Sequence, residues 1–300
     1  MKTLKDIKNI TIVGGGNMGM RIGLKCAINN YNVIVYDSNK DFEVSANKLL
    51  DSFTKFLMAS NKLNEESKQA AINRITYTTD INVATKNPDL ISESVIEDID
   101  IKKKVWSQLG ALCPKDTIFT TNTSSLLPST FAAETGRANL FCALHFHDVF
   151  NALIVDVMPN PKTEKFVVDL LIEFGKSIQH NPIVLKKENS GYLYNAMFIP
   201  WLDSACNLRA NDVASIQDID RAWMVNSRTK MGPLATCDFI GLDTMYHVSK
   251  GMQNEVSQQN AKYLKENFLD KGKLGIKSGE GFYKYPNPKY LEKDFVKGSE

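Results

Sequence analysis

Long hydrophobic runs are missing from this 300-residue chain. No apolar stretch approaches the ~18 residues that a membrane span requires. A signal-peptide core is missing too: Met1 to Asn9 is polar and Lys-rich and runs straight into a strand-like segment. Charge of one sign is missing, since 36 basic against 34 acidic side chains leave a net +2. That is far from the basic bias of a nucleic-acid binder. Cysteine is sparse and histidine sparser. The five cysteines, Cys26, Cys113, Cys142, Cys206 and Cys237, are scattered and never spaced C-x-x-C. This argues against a disulfide framework or a zinc site and predicts a soluble protein of a reducing cytoplasm. What is present, 43% hydrophobic and 23% charged residues, is the composition of a globular protein. The length suits about two domains.

β-rich runs alternate with helical patterns through the first 185 residues. Strands are expected at Ile10–Val13, Val33–Tyr36, Ile75–Thr78, Leu90–Glu93, Ile118–Thr120, Leu140–Phe146 and Leu153–Met158. Helices are expected at Lys40–Met58, Ile101–Leu112 and Lys162–Phe174. Strand–helix–strand repetition requires crossovers and predicts an α/β fold with a parallel, doubly wound sheet. Beyond Leu185 helical patterns dominate, at Tyr192–Arg209, Ile216–Met224, Leu242–Glu255 and Asn260–Asn267, with turn signals at Met231-Gly232-Pro233 and Gly272 to Gly281. The expected division is therefore a Rossmann-type, doubly wound domain over 1–185 and a mostly helical domain over 186–300. The run Lys102-Lys103-Lys104 reads as a solvated helix face.

The strand Ile10–Val13 is followed at once by Gly14-Gly-Gly16-Asn17-Met18-Gly19 and then by a helical run. A bare G-x-G-x-x-G is weak, but here a strand precedes it, a helix follows, and a second strand ends in the acid Asp37. Gly14 permits the tight turn, Gly16 the close approach of a pyrophosphate, and Gly19 close helix–strand packing. The N–H groups of Asn17 and Met18 open the helix at the anion site. A carboxylate at Asp37 accepts from both ribose hydroxyls and repels a 2′-phosphate, so NAD is expected over NADP.

Only four histidines exist, His145, His147, His180 and His247. Oxidation of an alcohol needs a base for the hydroxyl proton, and histidine is the side chain best poised for it near neutral pH. His145 ends the apolar run Leu140–Leu144, where an open α/β sheet presents its catalytic edge. His145 and His147 at i, i+2 share a strand face with Asp148 nearby, but no third well-spaced ligand follows, so no metal is expected.

Further segments, in order, make the pattern specific: Ser92-Glu-Ser-Val-Ile-Glu97 with Asp98 to Lys102, Asn122-Thr-Ser-Ser-Leu126, Leu144-His145-Phe146, Asn195, Asp218-Ile-Asp220, Met231-Gly-Pro233, Gly241-Leu-Asp-Thr244 and Gly275 to Tyr285. With these the chain resembles, over nearly its whole length, the NAD-dependent L-3-hydroxyacyl-CoA dehydrogenases, including bacterial 3-hydroxybutyryl-CoA dehydrogenases. The resemblance implies an acyl-CoA thioester substrate, NAD as cofactor and a homodimer formed through the second domain. It implies His145 as general base, Ser124 as partner of the substrate hydroxyl and Asn195 as the residue that orients the reacting groups. Glu97, Lys102 and Asn122 would lie along the cofactor. The bland alternatives are a helix cap at Ser124, an interhelical hydrogen bond at Asn195, and a surface ion pair between Glu97 and Lys102.

The family typically follows its histidine with Phe-Phe-Asn-Pro and, twelve residues on, a glutamate that pairs with the imidazole. Here the run is His145-Phe-His147-Asp148 and the acid is Asp156, one position early. A carboxylate inside the apolar strand Leu153–Met158 costs several kcal/mol to bury unpaired, so a buried partner is demanded, His145 first, with Asp148 as a rival acid for that histidine. The altered loop leaves two other readings open: a dehydrogenase of a free 3-hydroxy acid, like the carnitine or gulonate dehydrogenases, and a non-catalytic NAD-binding protein.

Overall fold

The computed structural model describes residues 2–252 and 254–297. It divides into two compact units, 1–193 and 194–300. The first carries eight strands: β1 (Asn9–Val13), β2 (Asn32–Tyr36), β3 (Ile75–Thr78), β4 (Leu90–Glu93), β5 (Ile118–Thr121), β6 (Phe141–Phe146), β7 (Ile154–Pro159) and β8 (Asn181–Val184). Its helices are α1 (Asn17–Ile28), α2 (Phe42–Ala59), α3 (Glu65–Ile72), α4 (Ile81–Ala84), α5 (Ile99–Leu112) and α6 (Lys165–Ser177).

The strands form one sheet in the order β3-β2-β1-β4-β5-β6-β7-β8. The order reverses at β1, where β2 lies on one side and β4 on the other, both parallel to it. That reversal opens the crevice in which doubly wound sheets bind ligands. One pair departs from the expected all-parallel arrangement. β6 and β7 are antiparallel, with His145 directly opposite Asp156. Only seven residues, 147–153, join the two strands, too few for a parallel crossover. β8, parallel to β7, occupies the edge, where the missing N–H of Pro182 is tolerated.

The central strands β1, β4, β5 and β6 are buried on both faces and read as near-continuous apolar runs, as parallel strands do. Ile10, Ile12, Val33, Val35, Leu90 and Leu144 pack with Met20, Leu24, Phe53 and Phe174 from the helices. On the other face Trp106 of α5 packs between Phe119 and Phe141, at centroid distances of 5.2 and 4.9 Å. Lys102 corrects the solvated-face expectation for its lysine run. It is 1% exposed because it turns toward the buried Glu93 carboxylate.

The second unit is helical: α7 (Tyr194–Ala210), α8 (Ile216–Ser227), α9 (Pro233–Ile240), α10 (Leu242–Gly251) and α11 (Glu255–Asn267). The segment read as one helix over Leu242–Glu255 breaks after Gly251. Asn254 caps α11 by accepting from Ser257 N at 2.9 Å, so a new helix begins there. Met231-Gly232-Pro233 is the start of α9, with Pro233 in its first turn. Two buried aspartates tie this unit together. Asp220 accepts from the N–H groups of Leu234 and Ala235 at 2.7 and 2.9 Å and from the Tyr283 hydroxyl at 2.9 Å. Asp238 accepts from the N–H groups of Phe282 and Tyr283, each at 2.8 Å, and from the Tyr285 hydroxyl at 3.0 Å. Among the described residues no helix is long and apolar enough to cross a membrane.

Candidate active site

The β1–α1 turn is shaped for close approach. Gly14 sits at φ +105°, a conformation that a side chain resists. A Cβ on Gly19 would lie 1.9 Å from the Gly14 carbonyl oxygen, whereas one on Gly16 would meet nothing within 4 Å. The space above Gly16 is thus open. No side chain caps the first turn of α1 and no acid stands in it, so the N–H groups at Asn17 and Met18 present an uncompensated positive end. Asp37, just after β2, accepts from Gly15 N at 2.8 Å through one oxygen and from Asn39 N at 2.9 Å through the other. A carboxylate offers about four acceptor positions, so two remain for a diol. These features fit the pyrophosphate and ribose of NAD.

At the C-terminal ends of β4, β5 and β6 a cleft of about 330 Å³ is lined by Met18, Ser94, Glu97, Lys102, Asn122, Ser124, His145 and His147, among others. The strand ends explain the gathering. In a parallel sheet the strands end on one side: Glu93 of β4 is level with Thr121 of β5, and β6 runs past that level to His145-Phe146. Asn122 fastens this edge: its N–H donates to the Glu93 carbonyl at 2.9 Å and its side-chain oxygen accepts from Phe146 N at 2.8 Å.

Lys102 is buried, and its Nζ donates to Glu93 Oε1 at 2.6 Å and pairs with Glu97 Oε2 at 3.3 Å. The surface ion pair is therefore excluded. Glu93, 0% exposed, also accepts from Val95 N at 2.8 Å and from the Thr121 hydroxyl at 2.6 Å. Both oxygens of that buried carboxylate have partners, as burial demands. Glu97 accepts from the Thr123 hydroxyl, from Ser124 N at 3.1 Å and from the Ser125 hydroxyl at 3.0 Å. Burial pushes its carboxyl up, but the Thr123 bond and the Lys102 ammonium outweigh it and hold Glu97 below the usual carboxylate range. Ser124 caps no helix. The turn is closed by Thr123, whose hydroxyl accepts from Leu126 N at 3.0 Å, and Ser124 is left on the cleft wall.

Asp156 lies 1% exposed in β7. Its Oδ2 is 3.1 Å from His145 Nδ1 and 2.8 Å from His147 Nε2. Burial raises this carboxyl, yet the two imidazoles more than compensate, leaving it below the ordinary range and ionised. An ionised carboxylate only accepts, so Nδ1 of His145 carries the proton and Nε2 is left as the acceptor of the neutral ring. The shorter side chain reaches because directly opposed antiparallel residues bring their Cβ atoms to about 5 Å. Asp148 binds elsewhere: to Phe150 N at 2.9 Å, to the Asn151 side chain at 3.0 Å and to Arg21 at 3.5 Å.

Three contributors escape a reading of the sequence. Glu93 carries the same signal as Asp156, an acid in an apolar strand. His147 carries none beyond its strand face. Tyr192, which reads as the start of a helix, is a fully buried residue at φ +56° whose ring lies 4.6 Å from that of His145. Asn195 stands in the first turn of α7, in the second unit.

A glycine-rich turn at a sheet reversal, an acid after β2 and a His–Asp pair on the catalytic edge define an NAD-dependent oxidoreductase. Sequence comparison places the chain in the same class. The family model described as "3-hydroxyacyl-CoA dehydrogenase, NAD binding domain" matches residues 9–189, and "3-hydroxyacyl-CoA dehydrogenase, C-terminal domain" matches 191–285. The chain belongs to the 3-hydroxyacyl-CoA dehydrogenase family. It is 30% identical to the mitochondrial hydroxyacyl-coenzyme A dehydrogenase of Rattus norvegicus over 290 residues, 93% of this chain and 91% of that protein. It is 31% identical to a 3-hydroxybutyryl-CoA dehydrogenase of Clostridioides difficile over 92% of this chain and 99% of that one. Among solved structures, a diketoreductase superposes with a TM-score of 0.89 at 36% identity, covering 95% of this chain and all of that one. The (S)-3-hydroxybutyryl-CoA dehydrogenase of Ralstonia eutropha gives 0.83 at 28%, over 94% of this chain and 100% of that one.

Proposed function

We propose that this chain interconverts a 3-hydroxyacyl-CoA and the corresponding 3-oxoacyl-CoA, with His145 as the general base. The observation that carries the reading is the Asp156–His145 contact at 3.1 Å, which leaves Nε2 of a cleft-lining imidazole free to accept a proton. NAD, when bound, supplies the hydride acceptor. His145 takes the hydroxyl proton, and Asp156 stabilises the imidazolium that results. Ser124 holds the substrate oxygen from the cleft wall, and Asn195 of the helical unit orients it. Gly14, Gly16, Asn17, Met18, Gly19 and Asp37 hold the dinucleotide; Glu97, Lys102 and Asn122 border its nicotinamide end.

In this reading residues 1–185 bind the cofactor, 186–300 serve substrate binding and dimerisation, and the protein works as a homodimer in a reducing cytoplasm. The five cysteines are buried and free, as that compartment would have them. Light scattering of the purified chain tests the dimer. NADH oxidation with acetoacetyl-CoA beside acetoacetate tests the substrate, and turnover of the thioester alone is expected. The loop His147–Leu153 favours one competing reading, reduction of a free oxo acid or diketone, and the 36% identity to a diketoreductase points the same way. Faster turnover of acetoacetate would establish it.

A further inference from the structure

Asp156 supplies, from the neighbouring strand, the third ligand that the spacing of His145 and His147 lacks. One ligand atom from each of the three lies within 4.8 Å of the other two. The His145 and His147 rings stand 4.6 Å apart at 60° to one another, so their nitrogens converge on a single carboxylate oxygen from two directions. We infer that His145, His147 and Asp156 form a binding site for a borderline-soft divalent metal ion such as Zn²⁺, and that its occupancy silences the enzyme.

The dimensions suit the ion. Ligand atoms around tetrahedral zinc stand about 3.3 Å apart, given bonds of about 2.0–2.2 Å. The two nitrogen–oxygen separations here, 3.1 and 2.8 Å, need only widen by a few tenths of an ångström. The chemistry suits it too. Two imidazoles and one carboxylate match zinc, whereas Mg²⁺ demands near-octahedral oxygen and keeps its water. A charge of 2+ replaces the two N–H donors on the buried carboxylate, so Asp156 stays satisfied. Three protein ligands leave the fourth tetrahedral position for water or another small ligand. Among the described residues competing soft donors are buried or isolated: His180 is 3% exposed with Nδ1 against the Ile178 carbonyl, all five cysteines are buried, and the exposed His247 belongs to no such cluster.

Silencing follows from tautomerism and rests on the reading of His145 as the base. A metal on Nδ1 requires that nitrogen's lone pair, which moves the ring proton to Nε2. Nε2–H has no lone pair for the substrate hydroxyl proton. No proton is gained or lost by the neutral ring in this exchange, and no oxidant or reductant enters.

The test titrates Zn²⁺, with Mg²⁺ as control, into the tag-free, chelator-washed full chain by calorimetry, and follows turnover in parallel. One Zn²⁺ per chain, no response to Mg²⁺, and inhibition reversed by a chelator are expected. His147→Phe should weaken zinc at least about 100-fold, since even an outer partner of a metal site is worth 10- to 100-fold. His147→Gln is the second variant, and NADH fluorescence shows that either is folded. Co²⁺ should give the intense visible band of a tetrahedral site in the wild type and lose it in both variants. Undiminished zinc affinity in folded His147→Phe and His147→Gln, equal binding of Mg²⁺, or no binding at all would each overturn the site. Stoichiometric, His147-dependent zinc with undiminished turnover would uphold the site and instead overturn His145 as the base.

Discussion

A single oxygen of Asp156 serves two imidazoles, and this sharing decides what its removal does. Asp156→Asn keeps the volume, loses the charge and places an N–H or a neutral oxygen against each ring. The tautomer of His145 is then no longer held. We expect kcat to fall sharply at unchanged NADH affinity, with little further loss once His145 is gone, because residues that act as a unit are not additive. His145→Gln should lower kcat roughly 100- to 10,000-fold, the yield of a positioned base, and His147→Gln much less. Stopped-flow single turnovers separate these from effects on product release, and a nearly active Asp156→Asn would dissolve the pair. Asp156 was legible beforehand because a lone acid in an apolar strand must find a partner. Its second partner was not, since nothing in a strand-face pattern says which way an imidazole turns beyond the strand end. Tyr192 was illegible for another reason: its left-handed backbone has no glycine or asparagine to announce it.

Elements carry the next level of argument. α5 delivers Lys102 to two carboxylates, one of them wholly buried. Lys102→Met would leave Glu93 charged and without its ammonium, and breaking one half of such a pair costs about 3–5 kcal/mol. Urea unfolding should show that loss, and Glu93→Gln in the same chain should recover part of it. In the second unit, burial outweighs three hydrogen bonds and pushes the Asp238 carboxyl up to about 6. A carboxyl raised on folding contributes stability that is full below its unfolded pKa, near 3.8, and is lost as pH rises through about 6. Asp238→Asn should therefore cost more at pH 5 than at pH 7, as read by urea unfolding at the two pH values. Most elements are readable to within a few residues where apolar runs meet turn residues, but β8 and α9 are not, the latter because Met231-Gly232-Pro233 reads as a turn and not as a helix start. The break at Gly251 was missed although Asn254 and Ser257 are an N-cap signal, because the apolar spacing runs on through it.

At the scale of the molecule, only the first unit holds the dinucleotide turn, so ligand should report on that unit first. NADH at about 100 times its Kd should stabilise it by about 2.7 kcal/mol, visible as a rise in Tm, while NADPH should do far less. Asp37→Ala with Ser38→Arg should reverse that order. Equal protection of the unaltered chain by both cofactors would remove the ribose role of Asp37. The class of fold was plain in the sequence because crossovers leave a strand–helix rhythm; the antiparallel step between β6 and β7 was not, since a seven-residue connection with no turn dipeptide looks like any other loop. That step has an evolutionary consequence. The ladder locks His145 and Asp156 in mutual register, while in the bend between the strands Val149 and Phe150 are buried in the core and Asn151 and Ala152 stand exposed at the tip. The exposed tip accepts exchange of its letters without disturbing the pair at the base, whereas His147, Val149 and Phe150 are held by Asp156 and the core. A lineage can therefore vary that tip while keeping the pair, and grafting the 151–153 segment of one relative onto another is the direct test of whether the tip sets substrate preference.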